Sequence, residues 1–119
     1  MEFELLASRL AVCALREPVL PQGEFVSLTM SGGEVSLVCE EVDAPEGCKI
    51  ERGWRALRIK GPLDFSLVGI LAHVSRILAD ADISLFAVST YETDYVLIKE
   101  VNLGRTVEAL KAQGHTVAE

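Results

Sequence analysis

The sequence predicts an α+β fold, and three observations carry the prediction. Four runs in the second half of this 119-residue chain, at 54–61, 83–90, 94–101 and 115–118, alternate or are continuously apolar in the manner of β-strands. Two segments between them, near 68–81 and 102–114, carry apolar residues at helical spacing instead. The first half shows strand patterns joined by Pro- and Gly-containing loops, and no stretch of helical period. From Trp54 the order is therefore strand, helix, strand, strand, helix, strand. That βαββαβ order is ferredoxin-like: a four-stranded antiparallel sheet with both helices on one face.

Residues 9–16, RLAVCALR, read as a buried strand, and EPVLPQGE after them holds two prolines and a glycine, a loop composition. FVSLTM (25–30) and EVSLVCE (34–40) alternate apolar and polar residues on either side of Ser31-Gly32-Gly33. That tripeptide supplies the positive φ angles of a tight hairpin turn. EVDAPEGCKIERG (41–53) is polar, reads as a loop with room for one helical turn, and marks the boundary between the halves. WRALRIKG (54–61) reads as a strand with an irregularity, and GPLDFS as a loop.

Ile70, Leu71, Val74, Ile77, Leu78 and Ala81 then form one helical stripe, in a helix expected to begin near Leu67. ISLFAVST and DYVLIKEV are strands joined by a short polar turn. Asn102 is placed to cap a helix through Leu103, Val107 and Leu110, with Gly114 at its C′ position and HTVA as a last strand. No close internal repeat is apparent.

Composition narrows the function. Half of the residues are hydrophobic, which argues against disorder. The formal net charge is −7, from 11 basic and 18 acidic residues. Lys49, Arg52, Arg55, Arg58 and Lys60 come nearest to a basic patch, but Glu51 interrupts them, so no nucleic-acid partner is expected. No segment approaches the ~18 consecutive apolar residues of a membrane span. The acidic start, Met-Glu-Phe-Glu, is unlike a secretory signal, so a cytoplasmic location is expected.

Three cysteines without a C-x-x-C pair argue against a disulfide framework or a zinc site. Cys13 and Cys39 fall in strand patterns as core residues, and Cys48 in a loop. There is no P-loop, dinucleotide fingerprint or nucleophile motif, so neither cofactor nor enzyme activity is expected. His73 lies on the polar side of its helix, far in sequence from His115. Glu40-Glu41 and Glu92/Asp94 are carboxylate pairs with no sign of convergence.

A binding site is the stronger reading. The loop ahead of the first helix, 61–66, leads to a helix N-terminus whose free N–H groups suit a carboxylate. Gly69 in the first turn either eases packing or admits a ligand. The turn STYETDY (89–95) spends two aromatics, two carboxylates and hydroxyls where Gly, Asn or Pro is usual. Its carboxylates could receive an ammonium or guanidinium and its tyrosines could stack on a cation. Helix terminus and acidic turn together suit a zwitterion.

GILA (69–72), the Ile83-Ser84 strand start and STYETDYVLIK (89–99) resemble the ACT-domain superfamily. Within it they resemble the small bacterial ACT-like proteins related to cytosolic arginine sensors of the CASTOR type. The resemblance is strongest from Trp54 to Gly114. It implies an ACT-like domain at 54–119 and a degenerate, mostly β ACT-like unit at 1–53. It also implies a non-catalytic regulatory protein that binds an amino acid and works as a homodimer. By the same resemblance Asp64, Leu67 and Ile70 of the loop and helix start, with Thr90, Tyr91, Thr93 and Asp94 of the strand-end segment, are the ligand residues. The arginine sensors carry an acidic residue where Leu67 stands here. The competing expectation is an interaction and oligomerisation module whose ligand site is lost, pairing through edge strands or an apolar sheet.

Overall fold

The computed structural model describes residues 1–60 and 69–119. Its contacts divide the chain into two units, Met1–Ala7 with Arg55–Glu119, and Ser8–Trp54. The expected boundary at 53/54 thus falls one residue later, and the first seven residues join the second unit instead of the first. The reason is a strand the sequence reading missed. β1 (Glu2–Leu5) alternates two acidic residues with Phe3 and Leu5, and those two apolar side chains belong to the core of the later unit.

In the unit Ser8–Trp54, β2 (Leu10–Leu15), β3 (Val26–Ser31) and β4 (Glu34–Glu40) appear near the expected places. The hairpin between β3 and β4 closes through Gly32 and Gly33, with φ of 55° and 83°, as the Gly-Gly turn predicts. β4 pairs antiparallel with β2, and β2 with the first part of β5 (Lys49–Ile59). β5 begins well before the expected strand at Trp54. Leu10 pairs with Trp54 but Val12 with Glu51, so β5 carries one extra residue there, a bulge containing Gly53. That bulge lies ahead of 54–61, where the irregularity was expected, and Leu57–Ile59 pair with β1 without a break. Ala11, Cys13, Leu37 and Cys39 form this unit's buried cluster.

In the other unit the second part of β5 is followed, beyond the undescribed residues, by α1 (Ile70–Asp80). Next come β6 (Phe86–Ser89), β7 (Asp94–Lys99), α2 (Leu103–Ala112) and β8 (Thr116–Ala118). The βαββαβ order holds, but among the described residues its sheet has five strands, in the order β6-β7-β5-β1-β8. β1 lies antiparallel to β5 and parallel to β8, taking the place beside β5 that a four-stranded sheet gives its last strand.

The helical stripe points inward as expected. Val74, Ile77 and Leu78 of α1 and Leu110 of α2 join Phe3, Leu57, Ile59, Ile83, Val96 and Ile98 in one core. α2 ends as the sequence predicts. The His115 N–H bonds the Leu110 carbonyl and the Gly114 N–H the Lys111 carbonyl, at 3.1 and 3.0 Å. Its start differs. Asn102 occupies the cap position, yet its Oδ1 accepts from Arg105 instead of the helix amides.

The two units share a device that sequence reading alone overlooked. β4 and β7 each run into a single 3-10 turn, Glu41–Asp43 and Glu100–Asn102, with entry residues at φ/ψ of −63°/140° and −66°/140°. The sequences agree there, Glu40-Glu41-Val42-Asp43 against Lys99-Glu100-Val101-Asn102. Upstream, Leu15-Arg16 ends β2 much as Ile59-Lys60 ends β5. Between these matched points the first unit is shorter, chiefly for want of a counterpart to α1.

Candidate functional site

The turn at 90–93 is built by threonines where glycine or asparagine would be usual. Ser89 pairs with Asp94 across the β6–β7 hairpin, leaving four residues to reverse the chain. The Thr90 N–H donates to the Thr93 carbonyl at 2.8 Å. The Thr90 hydroxyl donates to the same carbonyl at 3.1 Å and accepts from the Thr93 N–H at 3.3 Å. Side-chain oxygen thus does the work that a positive-φ residue does elsewhere. The Thr93 side chain is 3% exposed, and its hydroxyl donates to the Ile59 carbonyl at the end of β5, 2.5 Å away. β7 pairs with β5. The hairpin turn is therefore tied to the sheet end from which the chain sets out toward α1.

α1 opens at Gly69, whose φ of 83° places it in the left-handed region. A Cβ there would meet no described atom within 4 Å, so backbone conformation and not crowding calls for glycine. Gly69 thus precedes the helix, where the sequence reading set it inside the first turn. The first helical bond runs from the His73 N–H to the Gly69 carbonyl, 2.8 Å. The amides of residues 70–72 precede the ladder and carry the partial positive charge of a helix start.

The expected ligand residues separate accordingly. Thr90, Thr93 and Asp94 come together at the turn, with Asp94 half-buried. Tyr91 stands 84% exposed. Ile70 packs its side chain against the core, so it offers backbone and not side chain. Asp64 and Leu67 lie outside the described residues. Glu40 and Glu41, a pair considered for chemistry, hold loops instead. Glu40 accepts from the Ser8 hydroxyl at 2.8 Å and the Glu24 N–H at 2.6 Å, bonds that keep its carboxyl below the usual range. Glu41 accepts from the Gly53 N–H at 2.8 Å.

A histidine pair was not foreseen. His73 of α1 and His115, just before β8, meet Nε2 to Nε2 at 3.0 Å with ring planes 77° apart. His115 Nδ1 lies 2.7 Å from the Met1 amine, and its ring stands edge-on to Phe3. Met1 donates to Nδ1, so the His115 proton sits on Nε2 and His73 accepts it. No sequence pattern signals this pair, because only the sheet topology brings positions 73 and 115 together.

Burial first, then the Met1 amine and His73, hold the His115 imidazole below the ordinary histidine value. The unfolded chain protonates His115 near pH ~6.5, while the fold resists. Stability is therefore fully present above that value and declines as pH falls below it toward the depressed folded pKa. Melting temperature is expected to fall from pH 7 to 5.5 in the wild type, with a flatter profile in His115→Gln. Parallel profiles would remove His115 as the cause.

Among the described residues no helix is long and apolar enough to cross a membrane. A family model described as "ACT domain" matches residues 49–112. The chain is 39% identical over 66 residues to the cytosolic arginine sensor for mTORC1 subunit 1 of Homo sapiens. That match spans 55% of this chain and only 20% of the sensor. A solved Agrobacterium tumefaciens protein is similar over 98% of this chain and 90% of its own, with a TM-score of 0.87 and 28% identity. The aspartate kinase of Synechocystis shares the fold over 99% of this chain and 27% of its own, with a TM-score of 0.68 and 19% identity.

Proposed function

The chain belongs to the ACT domain family, and from that premise we propose that it is a non-catalytic regulatory protein that binds a free amino acid. The ligand lies between the start of α1 and the β6–β7 turn. The observation that carries the reading is the bond from Thr93 to Ile59, which fastens the turn to the end of β5. Thr90 and Asp94 are thereby held at the sheet end that leads to α1. The α-carboxylate is received by helix amides, Asp94 takes the cationic end, and Tyr91 closes over the ligand. Asp64 and Leu67 complete the set. The arginine sensor's match across this segment supports an amino-acid ligand, and Leu67 makes arginine itself a less natural one.

The unit Ser8–Trp54 is in this reading a reduced ACT-like module. Its support is the shared strand-to-turn sequences at 40–43 and 99–102 and the absence of an α1 counterpart. The protein works in the cytoplasm as a homodimer, a second copy supplying the paired modules that ACT sites use.

A thermal-shift screen of the twenty amino acids tests the proposal. At a hundred times its dissociation constant the true ligand stabilises the fold by about 2.7 kcal/mol, and Asp94→Ala is expected to abolish that shift. Light scattering in parallel reads the assembly. A stable oligomer that ignores every amino acid at millimolar concentration, and ignores Asp94→Ala, would point to an assembly module instead.

A further inference from the structure

The two histidines of the chain stand 42 residues apart in sequence and meet at one end of the later unit's sheet. Strand register defines that end. Glu2 of β1 pairs with Thr116 of β8, and Phe3 pairs with Ile59 of β5, whose carbonyl accepts the Thr93 hydroxyl. The order β7-β5-β1-β8 puts the strand after His115 three spacings from β7, about 14 Å. The imidazole pair is therefore a different place from the turn at 90–93.

Three features suit the pair to a metal ion. The Nε2 atoms face each other 3.0 Å apart, with ring planes at 77°. Two imidazoles on one tetrahedral ion, each bound at about 2.0–2.1 Å, hold their nitrogens about 3.3 Å apart. A small turn of the exposed His73 side chain supplies the difference. Second, His115 is backed on its other side, edge-on to Phe3 and with Nδ1 bonded to the Met1 amine. An outer partner of that kind orients a metal-ligating histidine. Third, burial favours the neutral His115 imidazole, the form that ligates.

We propose that His73 and His115 form a second ligand site, which takes a divalent transition-metal ion such as Zn²⁺ between their Nε2 atoms. Imidazole pairs select ions of this kind over Mg²⁺ or Ca²⁺, which prefer oxygen. The ion replaces the proton that the two rings share. His115 Nε2 gives up its hydrogen, the Met1 ammonium passes a proton to Nδ1 and then accepts from it, and one proton leaves to solvent. Two metal–nitrogen bonds form. Among the described residues no group of three or more His, Cys, Asp or Glu gathers. Water fills the remaining positions, so the ion is exchangeable and not a structural one.

The test uses untagged protein with zinc chloride, and magnesium chloride as the control. Melting temperature and the imidazole proton resonances are followed by calorimetry and NMR. At ten times its dissociation constant, Zn²⁺ should raise the melting temperature by about 5 °C. The resonances of both imidazoles should move together, and Mg²⁺ should do neither. His73→Gln and His115→Gln should each remove the shift, whereas Cys48→Ser and Asp94→Ala should keep it. The Asp94 variant separates this site from the proposed amino-acid site, so either can fail without the other. Imidazole resonances that stay in place at millimolar Zn²⁺ would overturn the proposal. A zinc shift that survives His73→Gln would do so too, because other side chains would then hold the ion.

Discussion

Phe3→Ala is expected to lower unfolding free energy by about 3–5 kcal/mol, the range for a fully buried aromatic truncated to a methyl. Phe3 is 0% exposed and shares its core with Leu57 and Ile59 of β5, Val74 of α1 and Leu110 of α2. Its strand is held on both edges. The Leu6 N–H donates to the Ala56 carbonyl and the Lys60 N–H to the Glu2 carbonyl, each at 2.9 Å. The Thr116 N–H donates to the Met1 carbonyl at 3.1 Å. A typical domain has about 5–15 kcal/mol in all, so this one change threatens folding at ordinary temperature. Urea unfolding followed by circular dichroism gives the number. A loss below ~1 kcal/mol, the scale of an ordinary surface change, would mean that β1 is an appendage and that the later unit folds without it.

That strand also shows where sequence reading reaches its limit. Phe3 and Leu5 alternate with glutamates, which is a strand pattern, but three or four residues are too few to read against a chain end. The helices were legible because their stripes run for three turns. The six stripe residues, Ile70, Leu71, Val74, Ile77, Leu78 and Ala81, were assigned inward from spacing alone, and every one packs on the core. The Schellman ending of α2 was legible because one glycine at the right offset fixes it. β5 was half missed, because its first part is polar and holds Gly53, a composition that also describes a loop. The turn at 90–93 was visible as unusual, since no glycine or proline explains it. What the letters could not say is which hydroxyl faces inward. Thr90 and Thr93 are identical in type, yet one stands exposed and the other is buried against Ile59. The histidine pair is illegible for the same reason, being a product of strand order and not of local pattern.

The second large effect follows from that buried hydroxyl. Thr93→Val keeps the shape of the side chain and removes only its donor. The Ile59 carbonyl then loses its Thr93 partner at a site where the residue is 3% exposed, at an expected cost of about 1–3 kcal/mol. Thr90→Val is the matched control. Its hydroxyl closes the turn from an exposed position where water can substitute, so about 0.5–1.5 kcal/mol at most is at stake. The two changes thus separate an anchor from a turn brace. The comparison also bears on the proposed site, because an anchor acts before any ligand arrives. Thr93→Val should destabilise the unliganded protein, and any ligand-induced shift that survives should be reduced because Asp94 is no longer held. If the unliganded unfolding midpoint of Thr93→Val matches wild type while the ligand shift vanishes, Thr93 contacts the ligand itself, and the hairpin must be fastened to β5 by the strand ladder alone.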